Sequence, residues 1–238
     1  MVYNATDSIY EMASVAKGLQ EQKVSWKAMT IYARAQGIAD NPRLLEEWQK
    51  VATERLLLNV GMDSGSDAIL RQGIVKSSVD RKRGRLEENQ EAVRRIKEAG
   101  AHLHHSLIFG SPGETIETCE SSIEFLLWTI EVLGSQLDIC ETDFFWLNFG
   151  APAGKVFHDY AYALSRAMMA GKTISERDWC RYFADHSETL VVSQETEKAW
   201  YRYFTNIDFE TAETYNIRAR DIMAKHTGSI RGRAFKPA

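Results

Sequence analysis

The chain has 238 residues, of which 44% are hydrophobic and 26% charged, and its formal net charge is −4. That balance belongs to a globular domain and excludes a disordered chain, and a mildly acidic whole gives no electrostatic reason to expect nucleic acid. No apolar run approaches the roughly 20 residues of a membrane span, and no basic-then-apolar leader opens the chain, so the sequence alone points to no membrane and to the cytoplasm.

The first residues, "VYNATDSIY" (2–10), are strand-like with a polar end. "EMASVAKGLQEQK" (11–23) follows as an amphipathic helix, with Met12, Val15, Ala16 and Leu19 at helical spacing. "VSWKAMTIYARA" (24–35) predicts a strand. "DNPRLLEEWQKVATE" (40–54) predicts a helix, with Asp40 or Asn41 as cap, Pro42 in the first turn and Leu44, Leu45, Trp48 and Val51 on one face. "RLLLNVGMDSGS" (55–66) is a continuous apolar run ending in small polar residues, the pattern of a strand buried on both faces. "LEENQEAVRRIKEAG" (86–100) predicts a helix stopped by Gly100. "AHLHHSLIFG" (101–110) predicts a strand, "ETIETCESSIEFLLWTIEVLG" (114–134) a helix ended by Gly134, and "LDICETDFFWLNFG" (137–150) a last strand.

Strand and helix therefore alternate, which implies a parallel sheet joined by crossovers, in an open doubly wound arrangement or a barrel. From about Lys155 the pattern changes to helices rich in Trp and Tyr, with "TLVVS" (189–193) as one short strand candidate and a basic tail from Gly228. Two regions are expected: an α/β region over 1–154 and a helical region over 155–238. The chain starts almost inside a strand, which leaves a sheet edge without a partner and favours self-association around "VYNATDSIY".

Two turns could carry chemistry. In "IFGSPGET", Gly110 allows a sharp turn, while Ser111, Pro112, Gly113 and Glu114 read as a capping box with proline at the first helical position. The same atoms admit a second use, since ligands of parallel α/β sheets bind at the carboxyl ends of the strands. "NVGMDSGSDAIL" repeats the design one unit earlier: Gly61 and Gly65 bracket Asp63 and Ser64, and Ser64 or Ser66 also serves as a helix cap. "HLHH" sets His102 and His104 on one strand face, which suits a metal in type but lacks a third ligand at a recognisable spacing. "RKRGR" (81–85) reads as a solvated basic loop, and "DWCRYF" with "AWYRYF" as helix-packing aromatics. Cys119, Cys140 and Cys180 are widely spaced and suit reduced, partly buried thiols.

Together, "LLLNVGMDSGSDAILRQGIVK" and "ENQEAVRRIKEAGAHLHHSLIFGSPGETIETCESSIEFL" resemble the core of the radical S-adenosylmethionine enzymes, closest to the branch that often carries a cobalamin-binding domain. The resemblance runs from about Val2 to Gly154. It implies a partial (β/α) TIM-like barrel lacking its first strand, followed by a helical C-terminal region. It also implies an S-adenosylmethionine site along the strand ends. In that site Asp7 lies near the methionine ammonium and Arg34 faces the carboxylate. Asp63 and Ser64 meet the ribose or amino-acid part, and Ile108, Phe109 and Gly110 pack against adenine. Asp63 stands where the family usually has Glu, one methylene longer.

The family holds a 4Fe–4S cluster through a Cys-x3-Cys-x2-Cys loop of soft anionic thiolates, and no cysteines in this chain have that spacing. The expectation is a C-terminal portion of a radical enzyme whose cluster loop lies upstream, acting on a substrate the sequence does not identify. Cobalamin is a further cofactor that the resemblance allows. The alternative is a non-catalytic module that keeps the fold to bind S-adenosylmethionine, a nucleotide or a partner chain. A third, an iron-independent enzyme using Asp7, Asp63 or Glu114 as acid or base, lacks a visible nucleophile–base pair.

Overall fold

The computed structural model describes residues 2–4, 9–41, 43–71, 85–144 and 205–227. Its framework is a five-stranded parallel sheet whose spatial order equals its chain order. The strands are β1 (Val2–Asn4), β2 (Trp26–Arg34), β3 (Ala52–Asp63), β4 (His102–Phe109) and β5 (Leu137–Phe144). The helices are α1 (Ile9–Glu21), α2 (Ala35–Asp40), α3 (Leu44–Gln49), α4 (Asp67–Leu70), α5 (Arg85–Glu98), α6 (Ile116–Leu133) and α7 (Phe209–Thr227). An α/β fold with a parallel sheet is therefore present; β1 and β5 are its two edges, and the described strands form an open sheet.

The local chemistry of the elements follows their residues. Helix α5 ends where Gly100 takes φ +67°, which lets Ala101 N–H reach back to the Ile96 carbonyl at 3.1 Å. Helix α6 differs from its predicted start. Its N-cap is Thr115, whose side chain accepts from Thr118 N–H while the Thr118 hydroxyl accepts from Thr115 N–H. The capping box is thus Thr115–Thr118 rather than Ser111–Glu114, because Glu114 is used to hold the turn before the helix. Helix α3 is shorter than predicted: its last turn gives way at Val51, and Ala52 is already paired in register with Trp26 of β2.

Alternate strand residues separate two faces. On one lie Met29, Ile31 and Ala33, Leu56, Leu58, Val60 and Met62, and Leu103, Leu107 and Phe109, all buried. They join Ile38, Leu44, Trp48, Val93, Ile96, Ile123, Leu126, Phe209 and Ala212 from the helices in one core. The other face carries Thr30, Tyr32 and Arg34, Leu57 and Asn59, His102, His104, Ser106 and Ile108, and Ile139 and Glu141, which are half-buried or exposed. The expectation that the 55–66 strand is buried on both faces therefore fails for one of them. Leu58 and Val60 are fully buried, whereas Leu57 and Asn59 are only partly covered. Among the described residues no helix is long and apolar enough to cross a membrane.

Candidate functional site

Because all strands run the same way, their carboxyl ends meet on one rim. Arg34 pairs in register with Gly61, Gly61 with Ser106, and Asp63 with Leu107. The turn after β3 and the turn after β4 are therefore neighbours. The ladder slips between Gly61 and Asp63, and Asp63 itself sits at φ +63°, in the left-handed region that a residue other than glycine enters at a cost. The slip in the ladder and the left-handed residue that ends this central strand set the direction of the following turn.

The turn after β3 is held from two sides. Ser64 is fully buried; its hydroxyl lies 3.1 Å from that of Ser122 on α6 and accepts from Ser66 N–H at 3.1 Å. Gly65 N–H donates to the Ser122 hydroxyl at 3.0 Å. A side chain at Gly65 would meet the Ser121 carbonyl, Phe125 Cβ at 2.6 Å and Ser122 Cα at 2.8 Å, so only glycine fits against α6. From the other side the buried Asn89 amide donates to the Met62 carbonyl at 2.9 Å.

The turn after β4 is organised by Glu114. Gly110 and Gly113 both take positive φ, +88° and +74°, where other residues would be strained. Glu114 is fully buried, and its Oε2 accepts the backbone N–H of Gly110 and, at 3.0 Å, that of Ser111. Burial pushes its carboxyl up from 4.5 to about 7, and the two amide bonds only partly offset that. The Glu114 Oε1 and the Ser111 hydroxyl are both buried and lack a hydrogen-bond partner. The turn is also gripped from the C-terminal segment. Asn206 N–H donates to the Glu114 carbonyl at 2.8 Å, and its side chain reaches the Gly113 carbonyl at 3.3 Å.

The sequence-predicted residues are distributed as follows. Arg34 stands at the exposed end of β2, beside Gly61. Asp63 and Ser64 are both buried in the first turn, with the Ser64 hydroxyl committed to Ser122 and Ser66. Ile108 lies on the half-covered face at the rim. Phe109 points the opposite way, into the core, and stacks on Tyr215 of α7 with ring centroids 6.0 Å apart, so it offers the rim only its backbone. Asp7, Arg81–Gly84 and the aromatic stretches over 175–186 and 194–204 lie outside the described residues. Ser122, Asn89 and Asn206 were not legible as site residues. Their one sequence signal is Ser121–Ser122, two small polar residues inside an apolar helix.

The histidines divide between faces. His102 Nδ1 lies 2.9 Å from Asp138, which also pairs with Arg55, and His104 Nε2 lies 3.3 Å from Glu141. His105 is fully buried on the helical side, edge-on to Phe125, and neither ring nitrogen has a partner. Burial pulls it down from 6.5 to about 3, so it is neutral. Among the described residues no group of three or more His, Cys, Asp or Glu is placed to hold a metal.

The chemistry of the donor set separates the implied cofactors. The rim has two features that would suit an adenosyl group: glycine turns that permit close backbone approach, and a buried Ser111 hydroxyl with hydrogen-bonding capacity to give. Among the described residues no cysteines fit an iron–sulfur cluster. Cys119 and Cys140 are separately buried, and burial holds both thiols far above their usual range, against the thiolate form a cluster requires.

No family model matches the chain, and no curated protein matches it. Among solved structures it is similar to a radical S-adenosylmethionine methyltransferase, TsrM, from Kitasatospora setae, solved with cobalamin and a 4Fe–4S cluster bound. The TM-score is 0.43 and the identity 15%, over 60% of this chain and 27% of that one.

Proposed function

We propose that the rim at the carboxyl ends of β2, β3 and β4 binds the adenosyl part of S-adenosylmethionine, in a core of the radical S-adenosylmethionine type. The observation that supports this reading is the adjacency of two glycine-bearing turns on paired parallel strands, through the Gly61–Ser106 and Asp63–Leu107 register. The backbone of Ile108–Gly110 and the Ile108 side chain would pack on adenine. Asp63 would take the ribose hydroxyls, directly or through water, and Arg34 the methionine carboxylate. Ser64 contributes through position, as its hydroxyl fixes the turn to α6.

S-adenosylmethionine supplies a 5′-deoxyadenosyl radical when an iron–sulfur cluster reduces it. Cys119 and Cys140 do not fit that cluster, and no radical step is assigned to this chain's residues. In the radical-enzyme version of the proposal the thiolates come from outside these 238 residues. The separate burial of Cys119 and Cys140 favours the other version, in which the fold is retained as a binding module.

Calorimetry tests the shared claim. S-adenosylmethionine should bind the chain, and Gly110→Val, which puts a β-branched side chain at φ +88°, should abolish binding. Equal affinity in both proteins rejects the rim. Anaerobic treatment with iron and sulfide of a protein in which a cluster-binding Cys-x3-Cys-x2-Cys segment precedes these residues then separates the two versions: the radical-enzyme core takes up a brown, oxygen-sensitive cluster that raises the affinity for S-adenosylmethionine, and the binding module keeps its affinity unchanged.

A further inference from the structure

We propose that Glu114 is a proton-operated latch on the turn after β4: its ionised carboxylate holds the turn closed for a ligand, and protonation releases it. The inference rests on the adenosyl reading of the rim for the identity of the ligand, and on the geometry of Glu114 for the latch itself.

Glu114 is the acid that shapes this turn. It is fully buried, and the atoms it holds are the backbone N–H groups of Gly110 and Ser111, the two residues that follow β4 directly. Bonds from amides to an ionised carboxylate are about twice as strong as those to a neutral acid. Gly110, at φ +88°, has its N–H held by the Glu114 carboxylate. With the carboxyl still buried, losing the charge weakens the amide bonds that fix the turn, although the neutral form is the one that stabilises the fold as a whole.

The surroundings make that charge easy to lose. The Cys119 thiol on α6 hydrogen-bonds the carboxylate and favours its charge, but burial outweighs it, and no cation faces the carboxylate from β4, from α6 or from the Asn206 segment among the described residues. The Oε1 has no hydrogen-bond partner. Burial lifts the carboxylate far above a surface acid, and the bonds from Gly110, Ser111 and Cys119 only partly offset it, so it titrates at about 7. The proton then moves within the ordinary range of cellular pH, where a surface glutamate would be silent.

If a ligand binds only the latched form, its affinity follows the ionised fraction. Between pH 8 and pH 6 it should fall about tenfold, and near neutrality binding should release a proton.

The probe is adenosine, which does not itself titrate over this interval. Isothermal calorimetry at pH 6 and pH 8 should give about a tenfold difference in affinity for the wild-type chain and none for Glu114→Gln. Because that variant removes a buried charge and could fail to fold, NMR on the unliganded wild type provides a second readout. The Glu114 carboxyl carbon and the Gly110 and Ser111 amides should titrate together with a midpoint near 7. A carboxyl midpoint below 5, amides that do not follow it, or adenosine affinity flat with pH overturns the latch. Adenosine that binds at neither pH overturns the adenosyl reading instead, and the amide titration still decides the latch.

Discussion

At the scale of single residues, two buried ionisable groups set how the fold responds to pH, and they act in opposite directions. Glu114 has its folded-state carboxyl raised from 4.5 to about 7. Its contribution to stability is complete below pH 4.5 and is lost as pH rises to 7, by as much as about 3 kcal/mol. His105 is lowered from 6.5 to about 3, so its contribution is complete above 6.5 and is lost as pH falls toward 3. The two slopes cancel between 4.5 and 6.5. Urea unfolding should give a plateau of stability over that interval and a decline on both sides. Glu114→Gln should remove the alkaline decline and, with nothing left to cancel His105, start the acid decline at 6.5 in place of the plateau; an alkaline decline that persists unchanged in the variant would mean that Glu114 is not its source. His105→Leu should do the converse, because it replaces a buried ring with two unpartnered nitrogens by an apolar side chain.

At the scale of elements, the contact between the β3 turn and α6 is the joint on which the rim depends. Gly65→Ala forces a methyl group into Phe125 and Ser122, which overpacks the joint and should cost about 1–3 kcal/mol in urea unfolding. The same change should weaken S-adenosylmethionine binding, because the Ser64–Ser122 and Gly65–Ser122 bonds separate as the turn moves off α6. A stable variant with full affinity would show that the turn is not part of the site. Helix α7 is the second joint. Asn216 is buried against Thr142 of β5, and Arg220 reaches the same threonine at 3.2 Å. Tyr215 stacks on Phe109 and donates to Glu120 of α6 at 2.7 Å. Tyr215→Ala should destabilise the chain by about 3 kcal/mol and loosen the β4 end; unchanged stability would contradict this packing.

What the sequence reveals divides along the same scales. Strands β2, β4 and β5 and helices α5, α6 and α7 are legible, because each is a sustained apolar pattern and glycines such as Gly100 and Gly134 punctuate it. Helix α2 is not. "AQGIAD" is short and contains a glycine, and it is helical because Ala35, Gly37 and Ile38 are buried by the fold around it. The start of β3 is hidden for a related reason: "VATE" reads as a helix tail until Trp26 pairs with Ala52. The two turns of the rim are visible as glycine clusters, but their fastening is not. Ser122, Asn89 and Asn206 reach them from distant parts of the chain, and spacing along the sequence carries no trace of such contacts.

At the scale of the whole molecule, β1 and β5 are the edges of the sheet among the described strands, and β1 is a three-residue strand. Unpaired edges recruit other strands, so light scattering on a dilution series should show a mass that rises with concentration. A single monomer mass at every concentration would contradict this.

The order of the strands in space has a consequence for how the chain is made. Each strand lies beside the one translated just before it. A nascent chain can therefore assemble the sheet one rung at a time as it leaves the ribosome, with no rung waiting for a later one. Helix α7, translated last among the described elements, fastens to β5 and α6, and Asn206 just before it fastens to the turn after β4. Synthesis arrested before residue 205 would leave the earlier rungs in place and the Phe109 ring bare, and such a nascent chain should be cut by protease at the β4 end until the final helix arrives.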